Sequence, residues 1–208
     1  NVVAGQINNV IFDLGGVVLK WEPDAVVRAV FEDPATRSTI VAQVLGHPDW
    51  AETDRGTLSL DDAAQRWASR TGCSERQIRA LLDESATTLV PIPETLALMG
   101  ELRARGYHLY CLSNMPPERF EHVREACGFW EQFNGLVISG LVKMVKPEPE
   151  IYLHLLGTYR LAPEACVFLD DSPANVDAAR ELGMQAILFT SARRCRHLLE
   201  ILLGHSLP

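Results

Sequence analysis

The chain has 208 residues and a mass of 23.1 kDa, enough for one sizeable core carrying a smaller insertion. Hydrophobic residues make up 47% of it and charged residues 22%, the balance of a packed globular protein and not of a disordered one. A formal charge of −8 speaks against nucleic acid or an anionic membrane surface as partner, because either favours a basic patch, and leaves a small molecule as the expected ligand.

Ile7 to Asp13 reads as a first strand: a short apolar run that delivers one carboxylate and breaks into Gly15-Gly16, where the backbone can approach a ligand closely. From about Pro23 to Thr88 the periodicity is helical, with starts at Asp24, Pro34 and Ser59 and a capping-box pattern at Ser74-Glu75-Arg76-Gln77. No strand interrupts this stretch, so it is expected to be an all-helical insertion, with Val90-Pro91-Ile92-Pro93 marking the return to the main domain. The division expected is a core of residues 1–20 and 90–208 and an insertion of residues 21–89.

After the return, strands and helices alternate. Glu94 to Arg105 is a helix closed by Gly106, Tyr107 to Leu112 a strand ending at Ser113-Asn114, and Pro117 to Cys127 a helix. Gly135 to Ser139 is a short strand, Glu148 to Tyr159 a helix after Lys146-Pro147, and Cys166 to Asp170 a strand. Ser172-Pro173 then starts a helix that stops at Gly183, before a last strand at Gln185 to Phe189 and a last helix at Ala192 to Leu203. This alternation implies an α/β fold with a Rossmann-like parallel sheet covered by helices on both faces, in which ligands bind outside the carboxyl ends of the strands. Three strands end there in polar residues, Asp13, Ser113-Asn114 and Asp170-Asp171, and Lys146 lies in a loop within reach of the same edge.

The five cysteines are scattered and show no C-x-x-C spacing, as expected of reduced thiols in a cytoplasmic protein without zinc. No apolar run approaches the roughly 18 residues of a membrane span, and the start Asn1-Val2-Val3-Ala4-Gly5 lacks a basic region followed by an apolar stretch. The six histidines show no ligand spacing.

Asp13 after its apolar strand, Ser113-Asn114, Lys146 before a proline, and Phe168-Leu169-Asp170-Asp171-Ser172-Pro173-Ala174-Asn175 together resemble, in this order, the four motifs of the haloacid dehalogenase superfamily. The resemblance spans nearly the whole chain, and the helical insertion sits where that superfamily carries a small cap. Phe12-Asp13-Leu14-Gly15-Gly16-Val17, Lys20-Trp21-Glu22-Pro23 and Asp54-Arg55-Gly56 look like a phosphatase-like branch near the glucose-1-phosphatase and the phosphatase domain of soluble epoxide hydrolase.

The resemblance implies a Mg²⁺-dependent phosphatase of a small phosphorylated metabolite, in which Asp13 attacks phosphorus to form an aspartyl-phosphate. Asp13, Asp170, Asp171 and the carbonyl of Gly15 would hold Mg²⁺, with Asp171 the direct ligand of the acidic pair and Asp170 acting through water. Lys146 would supply positive charge, while Ser113 and the N–H groups around Leu14, Gly15 and Asn114 would bind the phosphoryl oxygens. Asn175 would orient a metal ligand.

The sequence departs from the pattern at Gly15, where phosphatases of the superfamily usually carry a second Asp as general acid and base. Either the leaving group departs unassisted, as an anomeric or acyl phosphate would allow, or the cap supplies a donor, with His47, Asp54 and Glu22 as candidates, or the reaction differs. Trp21 and Trp50 could line the pocket or serve as packing. Two other readings stay open: a metal-free 2-haloacid dehalogenase using Asp13, since halide needs no acid, and a non-catalytic sensor or interaction module that binds a phosphoryl ligand.

Overall fold

A computed structural model of the chain describes residues 6–207; the start Asn1 to Gly5 lies outside the described residues. Five strands form one parallel sheet: β1 (Asn9–Phe12), β2 (His108–Ser113), β3 (Gly135–Ile138), β4 (Cys166–Asp170) and β5 (Gln185–Leu188), in the order β3-β2-β1-β4-β5. β1 pairs on one side with β2, Phe12 opposite Cys111, and on the other with β4, Phe12 opposite Leu169. Every residue of β1 and β4 is buried, which is why both read as continuous apolar runs rather than alternating ones.

The side-chain alternation of a strand sends neighbours to opposite faces. Val10 and Phe12 join a cluster with Leu109, Cys111, Val167 and Leu169. Ile11 joins the opposite cluster with Leu112, Phe168, Ile151 and Tyr152. The chain leaves β1 for β2 and β3 on one side and returns for β4 and β5 on the other, so the strand order reverses at β1. The ends of β2, β1 and β4 are therefore adjacent, the place where such sheets open a crevice.

Between β1 and β2 lie α1 (Pro23–Val30), α2 (Pro34–Ile40), a π-helical turn (Val41–Leu45), α3 (Pro48–Arg55), α4 (Leu60–Thr71), α5 (Glu75–Thr87) and α6 (Pro93–Ala104). α1 to α5 bury Val26, Ile40, Trp67, Ile78 and Leu81 in a cluster of their own. Ser59 caps α4 by accepting the Asp62 N–H, and Ser74 and Gln77 form the reciprocal capping box of α5. The segments entering and leaving this layer are tied together where Lys20 N–H donates to the Val90 carbonyl at 2.9 Å and Ile92 N–H to Val18 at 2.8 Å.

The remaining helices are α7 (Pro117–Ala126), α8 (Ser139–Val142), α9 (Pro149–Tyr159), α10 (Pro173–Glu181) and α11 (Ala192–Leu203). The expected elements are present within a residue or two, with two differences. The first strand is shorter, because its ladder starts at Asn9 and Asp13 already belongs to the turn. Ser139 is not the end of a strand but the first residue of α8, too short to leave a helical period in the sequence. All five cysteines are free thiols, and among the described residues no helix is long and apolar enough to cross a membrane.

Candidate active site

Asp13 follows directly on β1, its N–H still donating to the Leu169 carbonyl of β4 at 2.9 Å. Its carboxylate is buried, and Oδ1 accepts the Leu14 N–H at 2.8 Å. The tight turn after it is closed by Leu19 N–H to Leu14 O at 2.9 Å and Gly16 N–H to Leu19 O at 2.7 Å. These bonds flank Gly15 and do not use its own amide or carbonyl.

The room that a glycine provides is needed one residue later than the sequence suggests. Gly16 has φ +84°, and a Cβ there would lie 2.2 Å from Asp171 Oδ2. A Cβ on Gly15 would meet only Trp21, at an ordinary 3.6 Å.

Lys146 is 4% exposed, and its ammonium spends all three N–H groups inside the protein. They go to Asp13 Oδ1 at 2.8 Å, Asp170 Oδ2 at 2.7 Å and the Leu112 carbonyl at 2.9 Å. Asn114 fixes the lysine backbone, accepting the Lys146 N–H at 2.9 Å and donating to its carbonyl at 2.9 Å. Asp170 is fully engaged as well: Ser172 N–H reaches Oδ1 at 2.8 Å, and the Asn175 amide reaches both oxygens at 3.1 Å.

Oxygens of Asp13, Asp170 and Asp171 lie within 4.8 Å of one another. At that separation each pair of unit charges repels by roughly 3 kcal/mol at an effective dielectric near 20. One ammonium offsets one of three carboxylates. Burial pushes the Asp13 carboxyl up against the opposing pull of Lys146, while Asp170 and Asp171 add to the rise. Partial burial of its carboxylate and then the charge of Asp170 raise Asp171, although that residue is exposed overall. Burial alone would lower Lys146, but Asp13 and Asp170 outweigh it and hold the ammonium above its ordinary range. The residual negative charge and an all-oxygen donor set fit a hard divalent cation.

A cavity of about 190 Å³ opens between this cluster and the helical layer, its lining including Asp13, Gly15, Asn114, Lys146, Asp171 and Asn175. Trp21, Trp50, Leu89 and Met115 line it too, with Asp54 and Arg119. Trp21 and Trp50 stack with centroids 6.3 Å apart, and Trp67 continues the stack 5.7 Å beyond Trp50. Both tryptophans are thus lining and packing at once.

Of the expected site residues, the fold gathers Asp13, Gly15, Asn114, Lys146, Asp170, Asp171 and Asn175. Leu14 and Ser113 are buried at the same strand ends without lining the cavity. Of the three candidate donors, only Asp54 faces it. His47 caps α3, its Nδ1 accepting the Asp49 N–H at 3.1 Å, and Glu22 precedes α1. Burial pushes the Cys111 thiol well above its usual range, so it is an inert core residue.

Arg119 is absent from the sequence reading. Its Nη2 donates to Ser85 Oγ at 2.9 Å, and its guanidinium lies 5.1 Å from the Trp50 ring centroid. The only sequence signal is its place on the first turn of a helix that follows a strand ending at the site.

Residues 7–183 match the family model of haloacid dehalogenase-like hydrolases. The chain is 29% identical to the sesquiterpene phosphatase astK of Aspergillus oryzae over 182 residues, 88% of this chain and 89% of that one. It is 45% identical over 174 residues to flavin mononucleotide hydrolase 1 of Arabidopsis thaliana, 81% of this chain and 70% of that one. A HAD family enzyme from Bacteroides thetaiotaomicron superposes with a TM-score of 0.73 at 24% identity, covering 93% of this chain and 98% of that one. In complex with magnesium and inorganic phosphate the same enzyme gives 0.68 at 24% identity, covering 87% and 93%.

Proposed function

The chain belongs to the haloacid dehalogenase-like hydrolase family, and on that premise we propose that it is a Mg²⁺-dependent phosphate monoester hydrolase working through an aspartyl-phosphate on Asp13. The observation that carries this reading is a buried carboxylate at a strand end, held by a buried lysine and facing a cavity beside two further carboxylates. Phosphatases among the relatives support it, as does a neighbour of the same fold that binds magnesium and phosphate.

Asp13 Oδ1 is engaged by Leu14 N–H and Lys146 Nζ, which fixes the carboxylate plane and leaves Oδ2 for attack on phosphorus. Asp13, Asp171 and the Gly15 carbonyl would hold Mg²⁺, with Asp170 as the further acidic group beside it, and the ion when bound would supply the charge that lets a carboxylate meet a phosphate dianion. Asp170 already accepts from Lys146, Ser172 and Asn175, so its part is to hold the lysine in place. Lys146 delivers its charge to the nucleophile and to the phosphoryl oxygens beside it. Of the expected donors, Ser113 lies off the cavity lining and the Leu14 N–H is already spent on Asp13 Oδ1, so the backbone amides of Gly15 and Asn114 are assigned to the same oxygens.

Residues 21–89 act in this reading as the cap over a core of residues 1–20 and 90–208, excluding water and choosing the substrate. The cavity sets charged and amide side chains beside the stacked indoles of Trp21 and Trp50, which suits a small phosphorylated metabolite whose organic part presents an apolar or aromatic face. Relatives named for a sesquiterpene phosphatase and a flavin mononucleotide hydrolase support that substrate class.

Phosphate release from a panel of aryl, isoprenoid, flavin and sugar phosphates tests the reading. Turnover is expected with Mg²⁺, favouring the apolar and aromatic members, and is expected to vanish in chelator and in Asp13→Asn. Activity surviving both treatments overturns it, and halide release from a chloroacid in chelator decides for a dehalogenase instead.

A further inference from the structure

A monoester with an alkoxide leaving group needs a proton, and the reacting end of the cavity has none to give. Gly15 carries no side chain, all three N–H groups of Lys146 are committed, and Asp13 and Asp171 belong to the nucleophile and the metal.

Asp54, on α3, lines the same cavity and is 8% exposed. Its Oδ1 is buried with no hydrogen-bond partner among the described residues. An unsatisfied buried carboxyl oxygen costs about 1–3 kcal/mol or more, so this one favours a partner supplied from the cavity it lines.

The last turn of α3 is also anchored to the core at several points. The Asp54 carbonyl accepts Ser139 Oγ at 2.5 Å, and Arg55 makes a two-pronged ion pair with Glu148 at 2.8 and 2.7 Å. Gly56 runs so close to Gly140 that a Cβ would fall 2.5 Å from its carbonyl. The backbone is thus clamped to the core while the carboxyl group is left without a protein partner.

We propose that Asp54 is the general acid and base of the reaction, supplying from the helical layer what Gly15 cannot. As Asp13 Oδ2 forms its bond to phosphorus and the bond to the leaving oxygen breaks, the Asp54 proton passes to that oxygen and the alcohol departs. Asp54, now a carboxylate, takes a proton from the water whose oxygen attacks phosphorus. The Asp13–phosphorus bond breaks, phosphate leaves, and both side chains return to their starting states. Burial pushes the Asp54 carboxyl up to about 6 against the pull of Arg119 and Lys146, near the working range of an acid and base at neutral pH. The same two cations receive the negative charge left when the proton departs.

The assignment rests on the phosphatase reading and is tested separately from it by leaving-group release in the first turnover, with an alkyl monoester and with dinitrophenyl phosphate. In Asp54→Asn, alkyl alcohol release is expected to slow about 10²- to 10⁴-fold, while dinitrophenolate, which needs no proton, is released at little-changed rate. A loss of equal size on both substrates, or none on either, overturns the assignment and leaves the phosphatase reading standing. On the unsubstituted protein, the rate is expected to depend weakly on the pKa of the leaving alcohol; a steep dependence also overturns it. Failure of the unsubstituted protein to release either leaving group removes both readings together.

Discussion

Gly15 and Gly16 stand side by side under different constraints. Gly16 holds a left-handed backbone with Asp171 Oδ2 against it, so Gly16→Ala strains the turn and displaces a carboxylate. Gly15→Ala adds only an ordinary contact to Trp21. Steady-state assays of the two variants are expected to show activity nearly lost in the first and largely kept in the second; the reverse order would contradict this account of the turn.

Asp54 makes a second prediction, a gain of stability on substitution. Its folded-state pKa is raised from 3.8 to about 6 by burial, against the opposing charges of Arg119 and Lys146. The folded state therefore binds this proton more tightly than the unfolded chain does. The stability it contributes is full below pH about 4 and is lost as pH rises toward 6. Above that, ionised Asp54 costs at most about 3 kcal/mol. Denaturant midpoints should thus show Asp54→Asn gaining stability over the parent at pH 7.5 and not at pH 4; an equal loss at both would assign Asp54 a purely structural role.

The residues that the fold brings together at the candidate site were legible because each combines a telling side chain with a place at a strand end or loop: Asp13, Lys146, Asp170 and Asp171. Asp54 was one candidate among three, and Arg119 went unnoticed. Both lie on helices far along the chain from Asp13: packing of α3 against α8 brings Asp54 to the cavity, and Arg119 is carried there on the first turn after β2, where its type alone carries no signal.

At the scale of elements, the contact of α3 with α8 joins the helical layer to the sheet. Ser139 is buried, donates to the Asp54 carbonyl and accepts the Met115 N–H at 2.8 Å. Ser139→Ala leaves both backbone groups unpaired, and a loss of about 1–3 kcal/mol in chemical denaturation is expected, together with reduced activity. Ser74→Ala, which removes only the cap of α5, should cost about 1 kcal/mol and leave turnover intact. Equal effects on turnover would deny α3 its positioning role.

The parallel alternation and most element ends were readable from period and capping residues, because those signals are local, while α3 was not among the helix starts read. α8 was not, since four residues make barely one turn and its role comes from what it touches.

In the whole molecule, the reversal of strand order at β1 sets Asp13, Ser113 and Asp170 on adjacent strands, and the price is a cluster with more negative charge than its one lysine offsets. Mg²⁺ binding to the folded state alone should raise the melting temperature with concentration. Asp171→Asn should melt higher than the parent in chelator and lose that response; a response unchanged by the substitution would place the ion elsewhere.

The chemistry itself is most directly tested by acid-quenching the enzyme during turnover with Mg²⁺ and reading the peptide masses. The account predicts one phosphoryl group on Asp13, absent in chelator and absent in Asp13→Asn. Steady hydrolysis with Asp13 never carrying phosphorus, or hydrolysis that persists in Asp13→Asn, would contradict it.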